Sequence, residues 1–288
     1  MSYVHGYDDR ESERLHDQAG ALVELLHGDT TYPAGARVLE AGCGVGAQTV
    51  TLSARSPKTR FTSIDVSPES IAAARARRLP NVEFRVADLF TMPAETFDHV
   101  FVCFVLEHLP DPVAALQRLK TMLRPGGTIT VIEGDHRSAY FHPDSAAAQD
   151  AIDCLVTVQK EAGGDALIGR RLYPLLREAE FEDVDVSPRM VYVDGSRPEL
   201  IDAFTRKTFT AMVEGVRPAA LERGLISPER FDAGVRDLHR TAAEDGTFSY
   251  TFFKARGVNV VEAGANDLAA QLAGQGGSFG DLLGRVGE

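Results

Sequence analysis

The sequence predicts an α/β fold: an open, mostly parallel, doubly wound sheet with helices on its faces. Three observations carry this. Short β-branched runs alternate with helix-spaced amphipathic stretches from residue 36 to 186, the pattern of repeated strand–helix–strand units. Phe97–Phe104 is nearly continuously apolar from Val100, as suits a parallel strand buried on both faces. Finally, Arg37-Val-Leu-Glu-Ala-Gly-Cys-Gly-Val-Gly-Ala-Gln48 reads as a buried strand running into a glycine-packed turn that opens a helix near Ala47. Glycine tolerates positive φ and lets a ligand lie against bare backbone. The helix that follows aims unsatisfied N–H groups at the same place.

The whole chain narrows the function. Its 288 residues can hold one large domain or a core with a cap. A formal net charge of −12 sets an average field that repels polyanions, so no nucleic-acid partner is expected. No run approaches the roughly 18 apolar residues of a membrane span, and the polar N-terminus has no signal-peptide core. Cys43, Cys103 and Cys154 cannot all pair and match no zinc spacing. No membrane partner and no metal are expected, and free thiols in the cytoplasm are the plain reading.

In chain order, Leu15, Ala19, Leu22, Val23 and Leu26 fall at helical spacing, and Pro33-Ala-Gly35 ends that segment. Arg60–Asp65 is strand 2, and its terminal acid lies 19 positions after Gly46. That spacing suits a carboxylate that binds both ribose hydroxyls. Ser67-Pro68 gives an N-cap and a first-turn proline for a helix running to about Leu79. Val82–Val86 alternates strictly as strand 3 and leads to Asp88-Leu89. After strand 4, Asp111-Pro112 caps a helix with Val113, Leu116, Leu119 and Leu123 on one face, and Pro125-Gly126-Gly127 turns into strand 5, Thr128–Ile132. A helix over 172–179, a strand around Val184–Val186 and a last strand at Phe248–Phe253 complete the sheet.

Glu40, Gly42, Gly44 and Gly46 together resemble the first motif of class I S-adenosylmethionine (SAM)-dependent methyltransferases, Glu-x-Gly-x-Gly-x-Gly. Asp88-Leu89 resembles the motif that bonds the adenine amino group, Asp98 with Leu106-Glu-His resembles the fourth motif, and Leu123–Gly127 matches the family's Leu-x-Pro-Gly-Gly. Glu178-Ala-Glu-Phe181 departs from the usual Glu-Ala-Gly-Phe. The similarity extends to the branch that includes ubiquinone- and menaquinone-biosynthesis enzymes and small-molecule methyltransferases of secondary metabolism. It implies a Rossmann-like, seven-stranded, mostly parallel sheet whose last strand is antiparallel. It also implies SAM held by Glu40, Gly42, Cys43, Gly44, Gln48, Asp65, Val66, Asp88, Leu89 and the backbone at Cys103–Phe104.

Three readings stay open at this level. Gly42-x-Gly44-x-x-Ala47 also fits the relaxed dinucleotide fingerprint of a nicotinamide-dependent reductase. Tyr250-x-x-x-Lys254 matches the catalytic pair of the short-chain form of that class, but it falls in a strand-like stretch. A non-catalytic SAM-binding module is the third. The expected organisation is an N-terminal helical segment or lid over 1–34, a catalytic domain over 35–260 and a glycine-rich tail over 261–288. Inserts at 138–168 and 194–246 would wall the acceptor pocket. The expected partner is a small molecule, aromatic by the composition of the inserts, acting on a monomer or homodimer. Candidate catalytic groups follow strands 4 and 5: Glu107 and His108, then Glu133, His136, Tyr140 and His142, with Tyr7 as part of an aromatic lid.

Overall fold

A computed structural model describes residues 22–93 and 95–260. Tyr7, the segment before Leu22 and the tail over 261–288 lie outside the described residues. The chain enters through α1 (Val23–His27), then β1 (Arg37–Ala41), α2 (Ala47–Arg55), β2 (Arg60–Asp65), α3 (Pro68–Arg75), β3 (Val82–Val86), β4 (Phe97–Cys103), α4 (Pro112–Thr121) and β5 (Leu123–Gly134). The caps sit where the sequence places them. Ser67 and Asp111 accept from the backbone N–H of Ser70 and Ala114, at 3.0 and 2.9 Å, and a proline follows each.

Parallel pairing runs β3-β2-β1-β4-β5. β8 (Thr247–Val258) lies beside β5 and is antiparallel to it, and β7 (Glu182–Val193) closes that edge, again antiparallel to β8. The sheet has eight strands rather than the expected seven. The extra one is β6 (Tyr140–His142), inside the first insert. The reason is the length of β8: β5 covers only Phe252 to Val258, and β6 pairs Thr247–Ser249 of the rest. Without it that edge would leave backbone polar groups unpaired.

Side-chain alternation splits the core between the two faces. Leu39, Val100, Val102, Ile129 and Val131 pack against α4 and α6 (Leu172–Glu178) on one face. Val38, Phe101, Cys103 and Ile132 face α1, α2 and the inserts on the other. The first insert contributes β6 and α5 (Ala146–Glu161). The second gives α7 (Pro198–Leu200), a π-helical segment (Ile201–Thr210), α8 (Ala211–Gly215), α9 (Arg217–Glu222) and α10 (Pro228–Arg240). Phe204, Phe209 and Phe231 from this insert are buried in one cluster with Phe248, Tyr250 and Phe252 of β8. These insert aromatics form packed core, with centroids 4.9 Å apart for Phe209 and Phe248 and 5.7 Å for Phe204 and Tyr250.

The missing glycine after α6 leaves a trace. Glu180 takes φ +62°, and the bonds Glu180 N–H to Arg177 O and Phe181 N–H to Leu176 O, both 2.9 Å, close the helix as a glycine would. Lys120 Nζ donates to the Glu180 carbonyl at 2.7 Å and helps hold the turn. The left-handed conformation costs a non-glycine residue about 1–2 kcal/mol. Glu180→Gly is therefore expected to stabilise the fold by about 0.5–1 kcal/mol after the entropy of the unfolded chain is counted. Thermal melts of the two chains check this, and an unchanged or lower Tm refutes it.

Candidate active site

The carboxyl ends of β1, β2, β3, β4 and β5 share one edge of the sheet, because these strands are parallel. Open α/β sheets bind ligands at that edge. The glycine turn lies there, and its three glycines serve different needs. At Gly42, φ is +74° and a Cβ would sit 2.4 Å from Val105 Cγ2. At Gly44, φ is +51° and a Cβ would meet nothing within 4 Å, so the bare backbone faces open space. Gly46, φ +76°, caps α2.

Asp65 fixes the shape of this turn. Its two carboxylate oxygens accept from Gly44 N–H at 2.8 Å and Ser67 N–H at 2.9 Å. A carboxylate offers roughly four lone-pair directions, so ligand hydroxyls can still bond to it. Cys43 is buried, its N–H donating to Ile64 O at 2.9 Å; burial pushes its thiol up. Asp88 is exposed, and one oxygen accepts from Phe90 N–H at 2.8 Å. Val66, Val86 and Phe90 are exposed apolar side chains at the ends of β2 and β3, beside Asp65, Asp88 and the partly buried Leu89. The sequence reading included Val66 but missed Val86 and Phe90, although Val86 ends an alternating strand.

Glu40 lies beneath the turn. Its Oε2 accepts from Thr49 Oγ1 at 2.7 Å and Ser63 Oγ at 2.6 Å, tying β1 to α2 and β2. Burial pushes its carboxyl up to about 7, against those two hydrogen bonds. The folded chain then holds this proton more tightly than the unfolded chain does. The stability Glu40 contributes is complete below about pH 4.3 and is lost as pH rises through about 7. Glu40→Gln keeps an acceptor for both hydroxyls and cannot ionise. Melts at about pH 5 and pH 8 are expected to show a flatter pH dependence for the variant, the difference being on the order of 2–3 kcal/mol. Parallel profiles would exclude this assignment.

Gln48 Oε1 lies 2.6 Å from Nε2 of His27, which the sequence reading missed. His27 is fully buried on α1 beside Leu26, and burial pushes its pKa down to about 4. It is therefore neutral and joins α1 to the helix that opens the glycine turn. A polar residue on an otherwise apolar helix face was the available signal.

Phe104, just after β4, takes φ +57° and packs tilted against Phe252, centroids 5.5 Å apart. Such strain costs a bulky residue of order 1–3 kcal/mol and clusters at functional sites. The next residues form a short 3₁₀ turn, Leu106–His108. Glu133 is fully buried, and its Oε1 accepts from Val105 N–H at 3.0 Å and Leu106 N–H at 2.7 Å. Burial drives its carboxyl well up. The sequence reading put Glu133 at the acceptor; the structure places it under the loop, holding it.

His136 Nδ1 lies 2.8 Å from Tyr250 Oη, and Nε2 lies 4.0 Å from Glu107 Oε2. Glu107 Oε1 is 3.5 Å from His108 Nε2, and Gln159 Nε2 donates to Glu107 Oε2 at 3.1 Å. Glu107, His108, Glu133 and His136 thus converge between the ends of β4 and β5, joined by Gln159 and Tyr250, which the sequence reading did not place here. Tyr140 and His142 are exposed on β6. Among the described residues no cluster of three or more His, Cys, Asp or Glu is placed to hold a metal ion, and no helix is long and apolar enough to cross a membrane.

Tyr250 and Lys254 both lie on β8, about 13 Å apart at ~3.3 Å per residue. Lys254 Nζ donates to Leu26 O at 3.0 Å and to Asp29, tying α1 to the sheet. They are not the helical Tyr–Lys pair of a reductase.

A family model described as a methyltransferase domain matches residues 38–127. Trans-aconitate 2-methyltransferase of Methylobacterium radiotolerans is 31% identical over 217 residues, 73% of this chain and 78% of that one. A ubiquinone biosynthesis O-methyltransferase of Xanthomonas axonopodis pv. citri is 37% identical over 103 residues, 34% of this chain and 42% of that one. The chain spans about half the length of several curated relatives it matches. Among solved structures, the [4+2]-cyclase SpnF superposes with a TM-score of 0.51 at 19% identity, covering 86% of this chain and 81% of that one; this is a likeness of fold. The bare backbone at Gly44 and the carboxylate at Asp65 suit a nucleoside with a free ribose. A relative matched over more than three quarters of its length, on a fold and a glycine turn of this kind, is decisive: the chain belongs to the class I SAM-dependent methyltransferases.

Proposed function

We propose that the protein methylates a small-molecule acceptor on oxygen, nitrogen or aromatic carbon. The observation that carries this reading is the open space at Gly44, flanked by the Asp65 carboxylate. When bound, SAM supplies a methyl carbon on a positively charged sulfur that leaves with the C–S electron pair.

The chain's own groups divide the work. Asp65 accepts from the ribose hydroxyls. Asp88 and Leu89 meet the adenine, between the apolar surfaces of Val66, Val86 and Phe90. The glycine turn and the backbone at Cys103–Phe104 hold the methionine end, with Gln48 beside it. The inserts cover the neighbouring edge and exclude water, so the acceptor is aligned by fit. The relatives are named for trans-aconitate and for ubiquinone biosynthesis, which supports a small-molecule acceptor without choosing one.

A second reading follows from one observation: the [4+2]-cyclase SpnF shares this fold, so the fold alone does not dictate methyl transfer. The test is calorimetry with SAM, S-adenosylhomocysteine and NADH, followed by detection of S-adenosylhomocysteine formed from SAM with phenols, amines and carboxylates. Micromolar SAM binding and acceptor-dependent product are expected. NADH binding in place of SAM, or SAM binding with no product on any acceptor, overturns the proposal.

A further inference from the structure

We infer that Glu107 takes the proton from the acceptor and that His136 and Tyr250 position it, so the acceptor carries an ionisable O–H or N–H and is not methylated on a carboxylate. This rests on the methyl-transfer reading above and deepens it.

The argument begins at Tyr250. Its hydroxyl reaches His136 only because residue 134 is glycine: a Cβ there would stand 2.2 Å from Tyr250 Oη. Burial pushes the phenol well up, so it remains protonated. A protonated phenol can donate, and its proton is placed on the contact with His136 Nδ1, 2.8 Å away. A neutral imidazole that accepts at Nδ1 carries its proton on Nε2. That nitrogen faces Glu107 Oε2. In this tautomer His136 points an N–H toward Glu107, 4.0 Å away, and has no free lone pair with which to act as base.

Glu133 Oε1 is committed to the backbone at Val105 and Leu106, and the side chain is fully buried. Of Glu107, Glu133 and His136, only Glu107 is both held by donors and near the surface. Its side chain is 12% exposed, between His136 at 5% and His108 at 21%. Gln159 and His136 approach Oε2, while His108 lies beside Oε1 and offers a route to solvent. As the methyl arrives on the acceptor atom, the proton leaving that atom passes to the Glu107 carboxylate, then by His108 to water. A carboxylate acceptor has no such proton at neutral pH and would meet like charge here. Asp135 is neutralised by Arg170, in a bidentate pair at 2.6 and 2.8 Å, so that arginine is already engaged.

The test uses the full chain, ¹⁵N-labelled and saturated with S-adenosylhomocysteine. Long-range ¹H–¹⁵N spectra are expected to show His136 neutral, with its proton on Nε2. Tyr250→Phe should admit the Nδ1–H form, and Glu107→Gln should move the His136 Nε2 signal. In SAM turnover with phenols, aryl amines and trans-aconitate, Glu107→Gln should lose about 100-fold in kcat with the KM for SAM little changed, and Glu107→Asp should recover part of it. A proton on Nδ1, a Glu107→Gln variant that keeps its turnover, or trans-aconitate methylated as fast as the phenols overturns the inference. Failure of the wild-type chain to bind S-adenosylhomocysteine would instead defeat the methyl-transfer reading itself.

Discussion

Asp65→Ala is expected to weaken SAM binding roughly 100-fold in calorimetry, while the fold survives. Each bond from Asp65 to a backbone N–H is charge-assisted, a class that contributes about 1.5–3 kcal/mol. Removing the carboxylate leaves Gly44 and Ser67 N–H without these partners. The turn then loses the tie that holds its bare edge toward the ligand, and the ribose loses its acceptor at the same stroke. The two losses are separable. In Asp65→Asn the amide oxygen can accept from one N–H, but the NH₂ faces the other, donor against donor. That variant should fall between wild type and alanine. Phe61 and Ile64, which bury β2, are untouched, so the chain should still fold, with a lowered Tm. An alanine variant that binds SAM within about threefold of wild type would remove Asp65 from the site.

Where a residue's role follows from local backbone, the sequence shows it. The glycine turn, the caps at Ser67 and Asp111 and the five parallel strands depend on neighbours within a few positions, and they fold as the pattern predicts. Roles set by tertiary contact were hidden. Nothing near Glu133 announces that its carboxylate will bond the backbone 27 residues earlier, and Tyr250 meets His136 across 114 residues. A three-residue strand such as β6 is too short for any period to show. The π-helical segment was legible in hindsight: Phe204 and Phe209 are five apart yet share one buried cluster, and Thr208 Oγ1 bonds Ala203 O, also five back. A 3.6-residue period cannot keep such a pair on one face.

The cap gives the other large effect, and it turns on two glycines that a sequence cannot tell apart. Gly234 of α10 crosses α5 so closely that a Cβ would lie 2.3 Å from Ala147 O and 2.9 Å from Ala151 Cβ. The nearest obstacle is backbone, which no rotamer change relieves. Gly215 of α8 has nothing within 4 Å of its would-be Cβ. Alanine is the better helix former by about 1 kcal/mol at either position. Gly215→Ala should therefore stabilise by about 0.5–1 kcal/mol. Gly234→Ala should destabilise by about 1–3 kcal/mol, since overpacking outweighs propensity, and lower Tm by roughly 2–8 °C. Because α5 carries Gln159 to Glu107, forcing α10 off α5 should cut turnover while binding of S-adenosylhomocysteine stays within about threefold. Equal stability for the two variants would mean that the α5–α10 crossing is looser than its geometry indicates. Equal loss of binding and turnover would mean that the cap and the glycine turn fold as one unit.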